Sequence, residues 1–349
     1  MTTTFKVRTA DLRGYAGLLK RNAEHNDKVL AYLREWCGTE MQAVYSEGLL
    51  AKALNFHDNI YGDAERVVSQ LGKALRSSAT ELEKVAKAYD GSDEAAKQRL
   101  ESAGYHGTVM KRESWEANHS GYADYVDPRQ SVTGSPHPEE FSDPTKVLDT
   151  IGDTVSTTGQ ALNIIKELTG RNPIEELVQF ISGDWQAFSR AGTAFKHVGE
   201  ALEAIGKNVD RGLASLDHGW DGGASETAYT EFQHLADAFK QMKARFDQVN
   251  KVYQDFARFA MHTASILVDT IKLAIDTAIT IALRKKGGPF AEAWAAFYGL
   301  KILKYIAYFG WTMISARATV AEIFGRGALL KGATLPPSAN GKGYDAPEV

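Results

Sequence analysis

Apolar residues recur three and four positions apart along most of the chain, and no convincing strand alternation interrupts them. The first stripe is Leu12, Tyr15, Leu19, Asn22, Asn26, Val29, Leu33 and Trp36, with two polar members in its middle. A second runs Ile60, Ala64, Val67, Leu71, Ala74, Ser78, Leu82, Val85 and Tyr89. Between them, in "WCGTEMQ", Gly38 is placed to end one helix, and Thr39 with Gln42 to form a capping box for the next. These spacings predict an antiparallel helical hairpin over residues 1–100.

The pattern stops at "VDPRQSVTGSPHPEEFSDP", which holds Pro128, Pro136, Pro138 and Pro144, four of the chain's 9 prolines. Such a segment reads as a linker, here taken as residues 101–142. Asp143-Pro144 and Asn172-Pro173 then each place an N-cap before a proline at the first helical position, predicting helices that end near Gly170 and Gly183. A third stripe, Phe188, Ala191, Phe195, Val198, Leu202, Ile205, Val209 and Leu216, leads into "HGWDGGA". The fourth runs Ala228, Phe232, Leu235, Phe239, Met242, Phe246, Val249, Tyr253, Phe256, Ala260, Thr263 and Leu267. It predicts a coiled-coil seam in a rod of roughly 60 Å. Residues 143–265 are therefore expected to form a second hairpin around Trp220 and Gly222. An indole there closes the splayed helix ends, and glycine supplies the positive φ of the turn.

From Ile266 the composition turns apolar and aromatic, through residues 266–325. Both halves approach the length of a membrane span. Yet Asp269, Lys272 and Asp276 interrupt the first, and Glu292, Lys301 and Lys304 the second. Each such charge costs about 2.5–3.5 kcal/mol at mid-bilayer, so constitutive spanning is not expected. Trp294, Phe297, Tyr298, Tyr305, Tyr308 and Trp311 instead suggest an oligomer or membrane surface. Residues 326–349 are Gly- and Pro-rich and are expected to form a flexible tail.

Charge and chemistry narrow the function classes. A net charge of −4 gives no basic footprint for nucleic acid. The single cysteine, Cys37, allows no internal disulfide and no multi-cysteine zinc site. No phosphate loop, dinucleotide fingerprint, zinc-protease helix or nucleophile elbow occurs, and the 9 histidines are scattered. The expectation is a non-enzymatic protein with no cofactor, no metal and no small-molecule substrate. The start, "MTTTFKVRTADLRGYAG", lacks the apolar core of a Sec-type signal peptide.

"WCG" at Trp36–Gly38 and "WDG" at Trp220–Gly222 are both Trp-x-Gly between two apolar stripes. With Tyr89 and Asp93 in "AYDGSDEAAKQRL", they make the chain resemble the Trp-x-Gly (WXG) substrates of type VII (ESX) secretion, over about residues 5–100 and 183–265. The double length resembles the larger actinobacterial members, or a fused pair of the PE–PPE type. The resemblance implies that Tyr89 and Asp93 form an export signal read by the secretion ATPase. It further implies secretion or cell-surface display without a signal peptide, in a structural or assembly role, with the secretion machinery as partner; self-association and membrane contact are expected instead from the apolar and aromatic surface of residues 266–325. Two other readings stand beside it: a membrane-active effector using residues 266–325, and a cytoplasmic helical scaffold. The chain departs from the family where Tyr253 is followed four residues later by Ala257, so the second hairpin carries no second signal.

Overall fold

The computed structural model describes residues 6–44, 46–92, 121–138, 143–148, 155–284, 291–325, 330 and 335–345. The fold is all-α. Among the described residues seven helices of nine residues or more carry it: α1 (Thr9–Leu33), α2 (Gly48–Gly91), α3 (Val155–Thr169), α4 (Pro173–Ile181), α5 (Trp185–Asp217), α6 (Gly223–Arg284) and α7 (Ala291–Gly325). Two short strands, β1 (Lys6–Val7) and β2 (Trp220–Asp221), pair antiparallel.

α1 and α2 form one antiparallel hairpin, α5 and α6 the other, and the two pack side by side around one continuous core. Burial follows the stripes: Leu12, Tyr15, Leu19 and Leu33 of α1 and Val67, Leu71 and Leu82 of α2 are fully buried. The two polar members of the first stripe are buried too. Asn26 donates to the carbonyl of Val68 on α2 at 3.0 Å, and Asn22 accepts from Asn208 of α5 at 3.0 Å. Buried amides keep their hydrogen bonds in this way, and each bond fixes the register of one helix pair.

α5 and α6 approach closely for a reason written in the sequence. Gly192, Gly199 and Gly206 repeat every seven residues on α5 and face Tyr253, Phe246 and Phe239 of α6, themselves seven apart and running the other way. A Cβ on Gly199 would stand 2.8 Å from the Cβ of Phe246. Small residues thus seat large rings in a ladder.

Several expectations are corrected. Trp36 and Gly38 do not make the first hairpin's turn. Helix α1 continues through a π-helical segment, Arg34–Thr39, and a last α-helical turn, Glu40–Gln42. Thr39 keeps helical dihedrals and its side chain caps nothing. The chain reverses between Gln42 and Gly48, where Gly48 takes φ 54° against the backbone of Gln179 and Phe180. Ser46 bridges to Gly183 there, docking the tip on the start of the second hairpin.

The border placed at 265 is no break, since α6 runs 62 residues without interruption. At 1.5 Å per residue that is roughly 90 Å, longer than the expected rod because the apolar region continues the same helix. Asp143-Pro144 opens only a 3-10 turn, Pro144–Leu148, and α3 begins at Val155. Asn172 does cap α4, accepting from the amide of Ile174 at 3.2 Å.

Part of the expected linker is bound to the bundle. Asn208 accepts from the amides of Tyr125 and Val126 and donates to the carbonyl of Val126, each at 2.8 Å. Asp124 meets His25 at 2.9 Å and Asn22 at 3.2 Å, so residues 121–126 form a strap across α1 and α5. Part of the expected flexible tail is bound as well. Ser338, Ala339 and Tyr344 are buried between α2 and α6, and the Tyr344 amide donates to Ser78 Oγ at 2.8 Å.

Candidate recognition surfaces

At one end of the bundle, β2 carries Trp220 through the turn between α5 and α6. Its partner strand comes from the start of the chain: Val7 opposes Trp220, Lys6 opposes Asp221, and the Arg8 amide donates to Gly219 at 2.7 Å. Gly219 lies against the carboxylate of Asp11, itself paired with Arg8 at 2.7 Å, and any side chain at 219 would displace it. Gly222 leaves the turn at φ 141°, a conformation that favours glycine.

The indole is 1% exposed. Against it stands Tyr89, at the end of α2, with ring centroids 6.3 Å apart and planes at 79°. The Trp-x-Gly of the second hairpin and the tyrosine of the first therefore meet edge to face. Neighbouring Asp90 is paired with Arg13 of α1. Asp93 lies outside the described residues. Because both rings are buried, a partner reading this end would meet the backbone and the charged groups around it.

The first Trp-x-Gly does something different. Trp36 is half-buried beside Tyr32, whose hydroxyl bonds His197 Nδ1 of α5 at 2.9 Å. Cys37 is buried and faces the Ala191 carbonyl, and burial pushes its thiol pKa well up. A Cβ on Gly38 would stand 2.8 Å from the Tyr61 hydroxyl, so glycine here makes room for α2 rather than a turn. The carbonyl of Cys37, inside the π segment, accepts from His57 Nε2 at 2.6 Å, while His57 Nδ1 accepts from the Tyr253 hydroxyl at 2.6 Å. One side chain thus ties the π segment to both α2 and α6. Nothing in the stripes marked His57; only its place on the buried face of α2 gave it away.

Burial lowers the His57 pKa, so the ring stays neutral in the fold at pH values that protonate it in the unfolded chain. Its contribution is then whole above the ordinary histidine value of about 6.5 and is lost as pH falls from there toward the folded pKa. Chemical denaturation from pH 8 to pH 5 should show this acid-side loss in wild type. In His57→Gln, less stable at neutral pH, the loss should be smaller; identical slopes in both would show that His57 does not cause it.

A second surface lies on α7. Its inner face, with Ile302, Ile306, Phe309, Met313, Val320 and Phe324, packs mainly on α6. Phe324 reaches the core and stacks on Phe56 of α2 at 5.4 Å. On the outer face Trp294, Phe297, Tyr308 and Trp311 are exposed, Trp311 at 62%. Tyr298 and Tyr305 are half-buried against the core instead. Lys301 lies over the rings of Phe297 and Tyr298 at 4.9 and 5.3 Å. Among the described residues no helix is long and apolar enough to cross a membrane.

No group of three or more metal-ligating side chains stands together among the described residues. An open cleft of about 460 Å³ at the first hairpin's tip holds Arg171 paired with Glu176, and Arg317 5.6 Å from the Phe180 ring. It is lined by no serine, cysteine or histidine. Compared with protein-family models, with curated proteins and with solved structures, the chain matches none of them.

Proposed function

We propose that this protein is a non-enzymatic substrate of a type VII (ESX) secretion system that acts outside the cytoplasm as a self-associating structural or assembly component. The observation that carries the reading is the contact of Trp220 with Tyr89 at one end of a double hairpin. It joins the two short motifs by which the sequence resembles the WXG family. A signal shared between two hairpins exists only in the folded chain, which fits export of a folded helical bundle. The secretion ATPase is then the first partner, and further copies of the chain the second. Nucleic acid and small molecules have no place in the reading.

The exposed aromatic face of α7, with Lys301 at its centre, favours one second reading, a membrane-active effector working through residues 266–325. Export separates both from a cytoplasmic scaffold. In a host with a type VII system, full-length protein should accumulate in the medium and vanish from it when the ATPase is deleted. Asp93→Ala should stay inside the cell with unchanged helical circular dichroism. Release that ignores the ATPase would sink the secretory reading, and normal export of Asp93→Ala would sink the signal assignment alone.

A further inference from the structure

We propose that the outer face of α7 in one copy docks on the outer face of the last third of α6 in another, head to tail. The inference rests on the self-association in the reading above and names the two surfaces that make it.

The two faces are complementary in charge and alike in apolar content. Along α6, Ile266, Asp269, Leu273 and Asp276 are exposed in turn, at spacings of three and four, so acidic and apolar groups alternate on one line, with the half-buried Lys272 at its edge leaving the face net acidic by one charge. Ile266 and Leu273 are 45% and 49% exposed, and Leu283 further along the same helix 74%. On α7 the exposed line sets Lys301 and Lys304 among Leu300, Tyr308 and Trp311.

The charges on these faces lack partners of the kind that several charges upstream on α6 have. Upstream, Lys240, Lys243 and Lys251 pair with Asp210, Asp247 and Asp255 at 2.6, 2.5 and 2.7 Å. Among the described residues Asp269, Asp276 and Lys304 make no ion pair, and Lys301 has only its two rings. Asp269 and Asp276 are roughly 10 Å apart along the axis and Lys301 and Lys304 roughly 4.5 Å, a difference that two lysine stems span.

The same charges argue against the other occupants. A symmetric dimer through α7 alone would bring the lysines of two copies together, and like charges in an apolar contact are costly. An anionic bilayer pressed on α7 would leave the exposed apolar residues of α6 uncovered, because its carboxylates repel that surface. Contact between two different faces is heterologous, so it propagates until it closes into a ring or runs on as a filament.

The test uses the full chain and two double variants, K301E/K304E and D269K/D276K. Neither variant can pair its own faces, so each should run as a monomer by light scattering where wild type assembles, its dissociation constant raised roughly a hundredfold. Mixed together, they regain opposite charges at every contact and should assemble. Circular dichroism identical to wild type guards against misfolding, and the mixing result itself requires folded partners.

Assembly of either variant like wild type, or failure of the mixture, overturns the interface. So does a wild type that stays monomeric at all concentrations, whether or not it binds phosphatidylserine vesicles through Lys301 and Lys304. The measurement needs no export. Loss of the interface with ATPase-dependent release intact therefore leaves the secretory reading standing, and the reverse result removes only that reading.

Discussion

Trp220→Ala is expected to lower the unfolding free energy by about 3–5 kcal/mol, the usual cost of deleting a large buried ring. The indole is 1% exposed, contacts Tyr89 edge to face, and sits in the strand that pairs with Lys6–Val7. Removing it opens a cavity where three segments distant in sequence converge, and the glycines around the turn have no side chains to collapse into it. Denaturant melts give the size of the effect. Amide exchange gives its place: the amides around β1 and the end of α2 should lose protection first. An unchanged midpoint would mean that the indole is solvent-exposed in solution.

Gly199→Leu is expected to cost about 3 kcal/mol or more, at the upper end of what overpacking does. Leucine is a good helix former, so the loss has no local cause. It comes from α6: the new Cβ meets the Cβ of Phe246 at 2.8 Å and the backbone of Lys243 at 3.3 Å. No rotamer relieves a clash with Cβ and backbone, and the helices must separate. Gly62, exposed on α2 with nothing within 4 Å of its Cβ direction, is the internal control. Gly62→Ala should stabilise by about 0.5–1 kcal/mol, as a helical glycine replaced without contact does. Equal melting temperatures for Gly199→Leu and wild type would sink the idea that the ladder sets the helix spacing.

What the sequence revealed, it revealed through period. The stripes at three and four gave the helices and their buried faces, because a helix that must cover apolar area repeats with its own turn. Trp220 between glycines stood out as a large residue at a reversal. What stayed hidden depends on partners far away in the chain. Gly38 read as a helix end, but its neighbour is Tyr61 of the facing helix. Asn208 belongs to none of the stripes, and it holds the strap at Tyr125 and Val126. Tyr344 sits in a Gly- and Pro-rich stretch whose composition suggests mobility, yet it lies against Phe232 with ring centroids 5.2 Å apart. The heptad of Gly192, Gly199 and Gly206 was visible all along. Its meaning needed the opposing heptad of rings, and the pairing of the two is a property of the fold.

The seat of Tyr344 also sets a clock. Its amide bonds Ser78, 266 residues earlier in the chain. At synthesis rates of about 5–20 residues per second, Ser78 leaves the ribosome roughly 13–53 s before its partner. Phe324 likewise arrives long after Phe56, which it covers. During that interval the first hairpin has apolar area and a buried-site hydroxyl with nothing to close over them, and contacts so distant in sequence also form slowly once both ends exist. The nascent bundle therefore has apolar helix faces still uncovered until residues 324–344 have been made, which is where a holdase that binds such faces would find a substrate.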